Sequence, residues 1–152
     1  MSVQLKRAVS DDVNFLDSIE RLTFDSCKYE TISKRQFQYL LSKSNGEIWL
    51  ARENNKPCGY FSLLYRKNCD FARLYSIAVL QEHQGQGIGI ALFEQAEKVT
   101  HDKKMRGMML EIREDNLKSL SRYQHLGYQV TEKVRRYYPD GAACIKMKKV
   151  LQ

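Results

Sequence analysis

His83-Gln84-Gly85-Gln86-Gly87-Ile88-Gly89 stands between an apolar run, Phe71–Leu80, and a stretch in which Ile88, Leu92, Ala96 and Val99 recur at helical spacing. A glycine-rich turn that opens a helix sets bare backbone N–H groups where the helix macrodipole is positive, a place suited to phosphate. Side chains there would hold a diphosphate away from those amides, and positive φ angles favour glycine. A tight strand-to-helix turn with no ligand is the plainer account, but the glycines at 85, 87 and 89 crowd the very start of a helix and weigh against it. Two nucleotide loops fail on spacing. A dinucleotide fingerprint beginning at Gly85 requires glycine where Ile90 stands, and a Walker loop requires a Gly-Lys-Ser/Thr run that the chain lacks.

Outward from this loop the elements read in order. Ile48–Arg52 and Gly59–Leu64 are apolar and aromatic-rich around Glu53-Asn54-Asn55-Lys56-Pro57, which predicts an antiparallel hairpin. Nearer the start, Val3, Leu5 and Val9 alternate as in a strand, and Asp11 or Asp12 is placed to cap a helix with apolar Val13, Leu16, Ile19 and Phe24. A second helix is expected after Thr31 or Ser33, through Phe37, Leu40 and Leu41, ending before Ser44-Asn45-Gly46, with Cys27–Glu30 as loop. Downstream, the spacing predicts a helix from Gln86 to Thr100 and a strand over Met108–Arg113. Asn116 then caps a helix through Leu126 that Gly127 closes, and Tyr128–Val134 and Ala143–Val150 read as final strands. This order predicts an α+β fold in three layers, one sheet flanked by helices, forming a single domain over residues 1–152.

Composition narrows the function classes. No run approaches the ~18 apolar residues of a membrane span, and Met1–Val9 has no long apolar stretch, so a cytoplasmic protein without membrane attachment is expected. Cys27, Cys58, Cys69 and Cys144 are scattered, with no C-x-x-C pair and no histidine at ligand spacing, which predicts reduced thiols and no metal. The formal net charge of +7 suits nucleic acid, acidic protein segments or a small phosphate-bearing cofactor. Lys and Arg are spread along the chain and no helix-turn-helix or RNP-type signature is present, which ranks nucleic acid below the cofactor.

Gln84-x-x-Gly87-x-Gly89 resembles the acetyl-CoA signature Q/R-x-x-G-x-G/A of the GNAT superfamily of N-acetyltransferases. Leu74-Tyr75-Ser76-Ile77-Ala78-Val79 and the later Leu110-Glu111-Ile112-Arg113, Asn116, Tyr123 and Leu126-Gly127-Tyr128 are similar to that superfamily's middle and late motifs in order and spacing. Coverage runs from about Gly46 onward, and the first 45 residues match in general layout. Tyr137-Tyr138-Pro139-Asp140-Gly141 further resembles the RimI-like branch, which acetylates the N-terminal alanine of a ribosomal protein; where that branch carries acidic residues, Ala142 and Ala143 stand here. The resemblance implies a mixed, mostly antiparallel sheet of six to seven strands with about four helices. It also implies acetyl-CoA as co-substrate and no metal.

Acetyl transfer to an amine needs a neutral nucleophile, a polarised carbonyl and a proton for the departing thiolate. By resemblance, Ile77, Ala78 and Val79 hold the pantetheine arm on a splayed strand, the Val79 N–H serving the thioester oxygen. Gln84, Gly85, Gln86, Gly87, Ile88, Gly89 and Ile90 then form the phosphate loop, joined by Asn116 and Tyr123 along the arm. Glu111 interrupts an apolar strand on the face opposite Leu110 and Ile112, where partial drying raises a carboxyl toward the range of a base; a surface carboxylate paired with Arg113 or a lysine is the alternative. Tyr123 is the candidate acid, against simple core packing. Tyr29, Glu30 and Tyr138, with Tyr137, are candidates for the acceptor groove or for ordinary surface aromatics. His83 and His125 receive no catalytic role.

An α-amino group has a pKa of about 8 against about 10.4 for lysine, so deprotonation at pH 7 costs on the order of 1.4 versus 4.6 kcal/mol. That difference favours a protein or peptide N-terminus as acceptor, ahead of a lysine, a polyamine or another small amine. A non-catalytic acyl-CoA sensor is the reading from another class. A monomer or homodimer is expected in either case.

Overall fold

The structure, a computed structural model, describes residues 3–152. Its elements follow the chain as β1 (Val3–Arg7), α1 (Val13–Thr23), α2 (Lys34–Ser42), β2 (Gly46–Glu53), β3 (Lys56–Leu64), β4 (Phe71–Val79), α3 (Ile88–Asp102), β5 (Gly107–Arg113), α4 (Leu117–His125), β6 (Gln129–Val134) and β7 (Cys144–Val150). The strands form one seven-stranded sheet in the order β1-β2-β3-β4-β5-β7-β6. Every neighbouring pair is antiparallel except β4 and β5, which run parallel across the α3 crossover. This is the predicted mixed sheet with four helices.

The helices divide the core between the two faces. Leu16 and Ile19 of α1 and Phe37 of α2 pack with Ile48, Leu50, Tyr60 and Ala78 on one side. On the other, Leu92, Phe93 and Ala96 of α3 pack with Phe61, Leu74, Leu110, Ile112 and Tyr128. Local chemistry fixes the ends: Ser33 and Gln36 close a reciprocal capping box on α2, and Asn116 accepts the Ser119 N–H at 3.2 Å to cap α4.

Several boundaries differ from expectation, each for a stated reason. The β2–β3 turn is only Asn54-Asn55, at φ 51° and 66°, a left-handed pair that asparagine tolerates; Lys56 and Pro57 belong to β3, with a bulge opposite Ala51/Arg52. Helix α3 starts at Ile88 rather than Gln86, because Gly87 has φ +84° and stands outside the helix as its N-cap. Asp12 precedes α1 without capping it; its carboxylate takes the Val9 N–H at 2.9 Å and Arg52 at 2.9 Å. All four cysteines are free thiols, but only Cys58 and Cys144 are buried, and Cys27 is exposed. No helix of the described residues is long and apolar enough to cross a membrane.

Candidate active site

A gap in the sheet organises the site. β4 and β5 pair only at Phe71–Gly107, Ala72–Met108 and Arg73–Met109, then diverge. On its other edge β4 stays joined to β3 as far as Gly59–Val79. Leu80 donates its N–H to Cys58 O at 2.8 Å, and antiparallel ladders alternate, so the main-chain groups of Ile77 and Val79 face away from β3 into the gap. The Val79 carbonyl is taken by the Gln84 side-chain amide at 3.0 Å, which ties the glycine loop to the strand end.

At that end Gly85 (φ +82°) and Gly87 (φ +84°) adopt left-handed conformations, and a Cβ built on either meets nothing within 4 Å. The backbone there is thus laid open, a cradle in which a side chain would take the room of a phosphate. Ile88 turns its side chain into the core while Ile90 points outward, so each brings only its amide toward the helix start. Gln86 is exposed and Gly89 sits against Val79 Cγ2. The Ala78 side chain is buried on the α1 face.

A cleft of about 500 Å³ opens through the gap. Tyr29, Glu30, Ile77, Glu111, Asn116, Tyr123 and Tyr138 all line it, while Ala78 and Val79 at the end of β4, and the glycine loop further along the chain, lie outside its lining. Because β5 alternates, Leu110 and Ile112 enter the α3-side core while Glu111 and Arg113 face the α1 side. Tyr123 lies on the α3 side, stacked on Phe93 with centroids 5.1 Å apart. Its phenol is pushed up by burial, which keeps the proton on at neutral pH.

Glu111, 18% exposed, accepts hydrogen bonds from Arg73 and from the Tyr137 hydroxyl, each at 2.7 Å to Oε1, and Lys146 stands 3.6 Å from Oε2. Arg73 and Lys146, rather than Arg113, are therefore its ionic partners. Burial, with the Glu111 bond second, pushes the Tyr137 phenol up to about 12.

Arg113 has a different task. Only 4% exposed, it donates to Asp115 (3.1 Å twice), to Asp140 (3.1 and 2.8 Å) and to the Lys28 carbonyl (2.7 Å). Its guanidinium also lies 5.3 Å from the Tyr29 ring and 5.1 Å from that of Tyr138, and those two rings meet edge to face at 5.6 Å. One cation thus ties the α1–α2 loop, the end of β5 and the β6–β7 connection into one wall of the cleft. Sequence reading missed it, together with Arg73 and the bond from Tyr137. The available signal was the two-residue spacing of Glu111 and Arg113, which puts both on one face.

A sequence profile of the Acetyltransferase (GNAT) family matches residues 13–128. The chain belongs to the GNAT acetyltransferase family. Among curated relatives this GNAT enzyme is 26% identical over 136 residues to a Bacillus subtilis protein provisionally assigned as a [ribosomal protein bS18]-alanine N-acetyltransferase, covering 86% of this chain and 83% of that one. Among solved structures it resembles the ribosomal-protein-S18-alanine N-acetyltransferase of Escherichia coli, with TM-score 0.89 and 23% identity over 99% of this chain and 95% of the other. It also resembles a chain of the NatC complex solved with Gag peptide and CoA, with TM-score 0.85 and 19% identity over 100% of both chains.

The wall held by Arg113 gives this acetyltransferase an acid-sensitive joint. Hydrogen bonds from Arg113, and then from the Ala142 N–H, pull the Asp140 carboxyl down from 3.8 to about 2. A depressed folded-state value means the unfolded chain binds the proton first, so stability falls as pH drops from about 4 to about 2. The melting temperature of Asp140→Asn is expected to show a shallower decline across that window than wild type; an identical slope would show that the contact carries no linkage.

Proposed function

We propose that the chain transfers the acetyl group of acetyl-CoA to the α-amine of a protein or peptide N-terminus, with a ribosomal-protein alanine terminus as the leading candidate. The observation that carries this reading is the unpaired stretch of β4 beyond Arg73, which offers main-chain groups along a gap running from the glycine cradle to Glu111. Acetyl-CoA would supply the activated acyl carbon and a thiol leaving group. The open left-handed glycines suit its diphosphate, and the Ile77 and Val79 main chain suits its amide-bearing arm.

Roles follow from position. The Val79 N–H stabilises charge on a carbonyl oxygen set in the gap, as an oriented donor in a dry site does. Glu111 removes the amine proton, directly or through water, and Tyr123 returns a proton to sulfur from the opposite face. Asn116 caps α4 and borders the arm. Tyr29 and Tyr138 wall the acceptor side, with Glu30 exposed at its rim, a surface suited to an extended peptide. The relatives' printed activities on ribosomal-protein alanine, and the Gag peptide and CoA bound to the NatC complex, support the same choice over lysine or polyamine. One domain over residues 1–152, working in the cytoplasm, completes the proposal.

Acetyl-CoA at about 100 times its Kd is expected to raise the melting temperature by about 5–10 °C, and Gly87→Ala to abolish most of that rise. Alanine at a left-handed position costs roughly 1–2 kcal/mol, and its methyl enters the cradle. The acceptor is tested by acetyl transfer to peptides with free N-termini, to lysine peptides with blocked termini and to polyamines. Preference for either of the last two would overturn the α-amine assignment, and an absent thermal shift would overturn the cradle.

A further inference from the structure

Below the acceptor side of the cleft runs a line of buried polar groups that the roles above do not use. Glu20 of α1, 2% exposed, accepts the Ile32 N–H at 2.8 Å and the Tyr60 hydroxyl at 2.5 Å. Tyr60 of β3 is wholly buried, and its hydroxyl oxygen also meets Ser76 Oγ at 2.7 Å. Ser76 and Glu20 both line the cleft, so the line leads from the core to the place where an acceptor would sit.

A bulge puts Ser76 there. The β3–β4 register runs Leu63–Leu74 and then Ser62–Ser76, leaving Tyr75 as an extra residue on β4. An even spacing would set Ser76 on the same face as Leu74, which packs on the α3 side. The extra residue reverses that parity, and Ser76 joins Tyr60 and Glu20 on the α1 side, the face that Glu111 also uses.

The direction of the hydrogen bonds is set by counting hydrogens. A phenol has one, and Tyr60 gives it to Glu20, both of whose oxygens are already accepting. With the Glu20 carboxylate ionised, the Ser76 hydroxyl donates to Tyr60, which leaves the lone pairs of Ser76 Oγ to accept from the cleft. Keeping a carboxyl this dry is unfavourable, and burial raises the Glu20 carboxyl above its ordinary range even against the pull of the Ile32 and Tyr60 bonds. An apolar pair would serve packing better.

We propose that Ser76 Oγ is the hydrogen-bond acceptor for an N–H of the incoming primary amine, its polarity fixed by Tyr60 and Glu20 as positioning residues. This rests on the acetyl-transfer reading and names the group that orients the acceptor. A neutral primary amine has two N–H groups and one lone pair; holding one N–H on Ser76 directs the lone pair toward the gap and leaves the other N–H for Glu111.

The test compares wild type with Ser76→Ala, Tyr60→Phe, Glu20→Gln and the Ser76→Ala/Tyr60→Phe double variant, using the free-N-terminus peptide that wild type acetylates best. Ser76→Ala is expected to lower kcat/KM for the peptide about tenfold, as loss of one ordinary hydrogen bond allows, while the KM for acetyl-CoA and the thermal shift it causes stay at wild-type values. Tyr60→Phe is expected to lower the same parameter, and the double variant to be no worse than Ser76→Ala, because the residues act in series. Peptide kinetics unchanged in Ser76→Ala, or a parallel loss of acetyl-CoA binding, would overturn the inference, and Ser76→Ala decides this whether or not the buried variants fold. Wild type that acetylates no amine at all would remove the transferase reading itself, a result distinct from active wild type matched by Ser76→Ala.

Discussion

Glu111→Gln is expected to lower kcat at pH 7 by about 10²-fold, near the bottom of the usual range for loss of a general base. The modest size follows from the acceptor: with an α-amine pKa of about 8, roughly a tenth of the substrate is already neutral at pH 7, and the base assists proton loss during attack. Glutamine keeps an oxygen for Arg73 and Tyr137, so the cleft should persist and acetyl-CoA binding should not change. Turnover of the variant should recover as pH rises toward about 9, where the α-amine deprotonates unaided; a lysine acceptor would need about two units more. Tyr123→Phe should slow the reaction less, since water can protonate a thiolate. A kcat within about twofold of wild type at pH 7 would take Glu111 out of the mechanism.

Arg113→Met is expected to harm the acceptor side and spare the coenzyme side. Methionine fills similar space but removes every bond that joins the Lys28 carbonyl, Asp115 and Asp140, and frees the Tyr29 and Tyr138 rings to move. The KM for a peptide should rise at least about tenfold and the melting temperature fall, with the acetyl-CoA thermal shift retained. Arg113→Lys should rescue little, because an ammonium cannot reproduce a planar fork that serves two carboxylates and a carbonyl at once. A lysine variant with wild-type peptide KM would show that charge alone, and not the fork, holds the wall.

What the sequence revealed tracks the distance over which each feature is encoded. The glycine loop was legible because left-handed φ at Gly85 and Gly87 narrows the choice of residue locally. The same holds for the inward face of β5, and for the start of α2, which was placed after Thr31 or Ser33 without the Ser33–Gln36 box that fixes it. Helix α3 was read two residues too long at Gln86 because apolar periodicity runs past the left-handed Gly87, and β3 three residues too short because its ladder runs past the apolar stretch to Lys56. Arg113 stayed hidden because only Asp115 among its partners is local; the Lys28 carbonyl and Asp140, which make it a joint between loops, lie 85 and 27 residues away. The Tyr75 bulge was equally silent: Phe71–Leu80 read as one unbroken apolar run, yet pairing with β3 inserts one residue and turns Ser76 over.

The few rungs shared by β4 and β5 have a mechanical meaning as well. Beyond Arg73 the protein is two half-sheets joined by a short seam, and the seam's continuation must come from whatever lies between them. An extended ligand there would act as a removable strand, stitching the halves while it stays and releasing them when it leaves, so that loading the reagent and stiffening the molecule become one event.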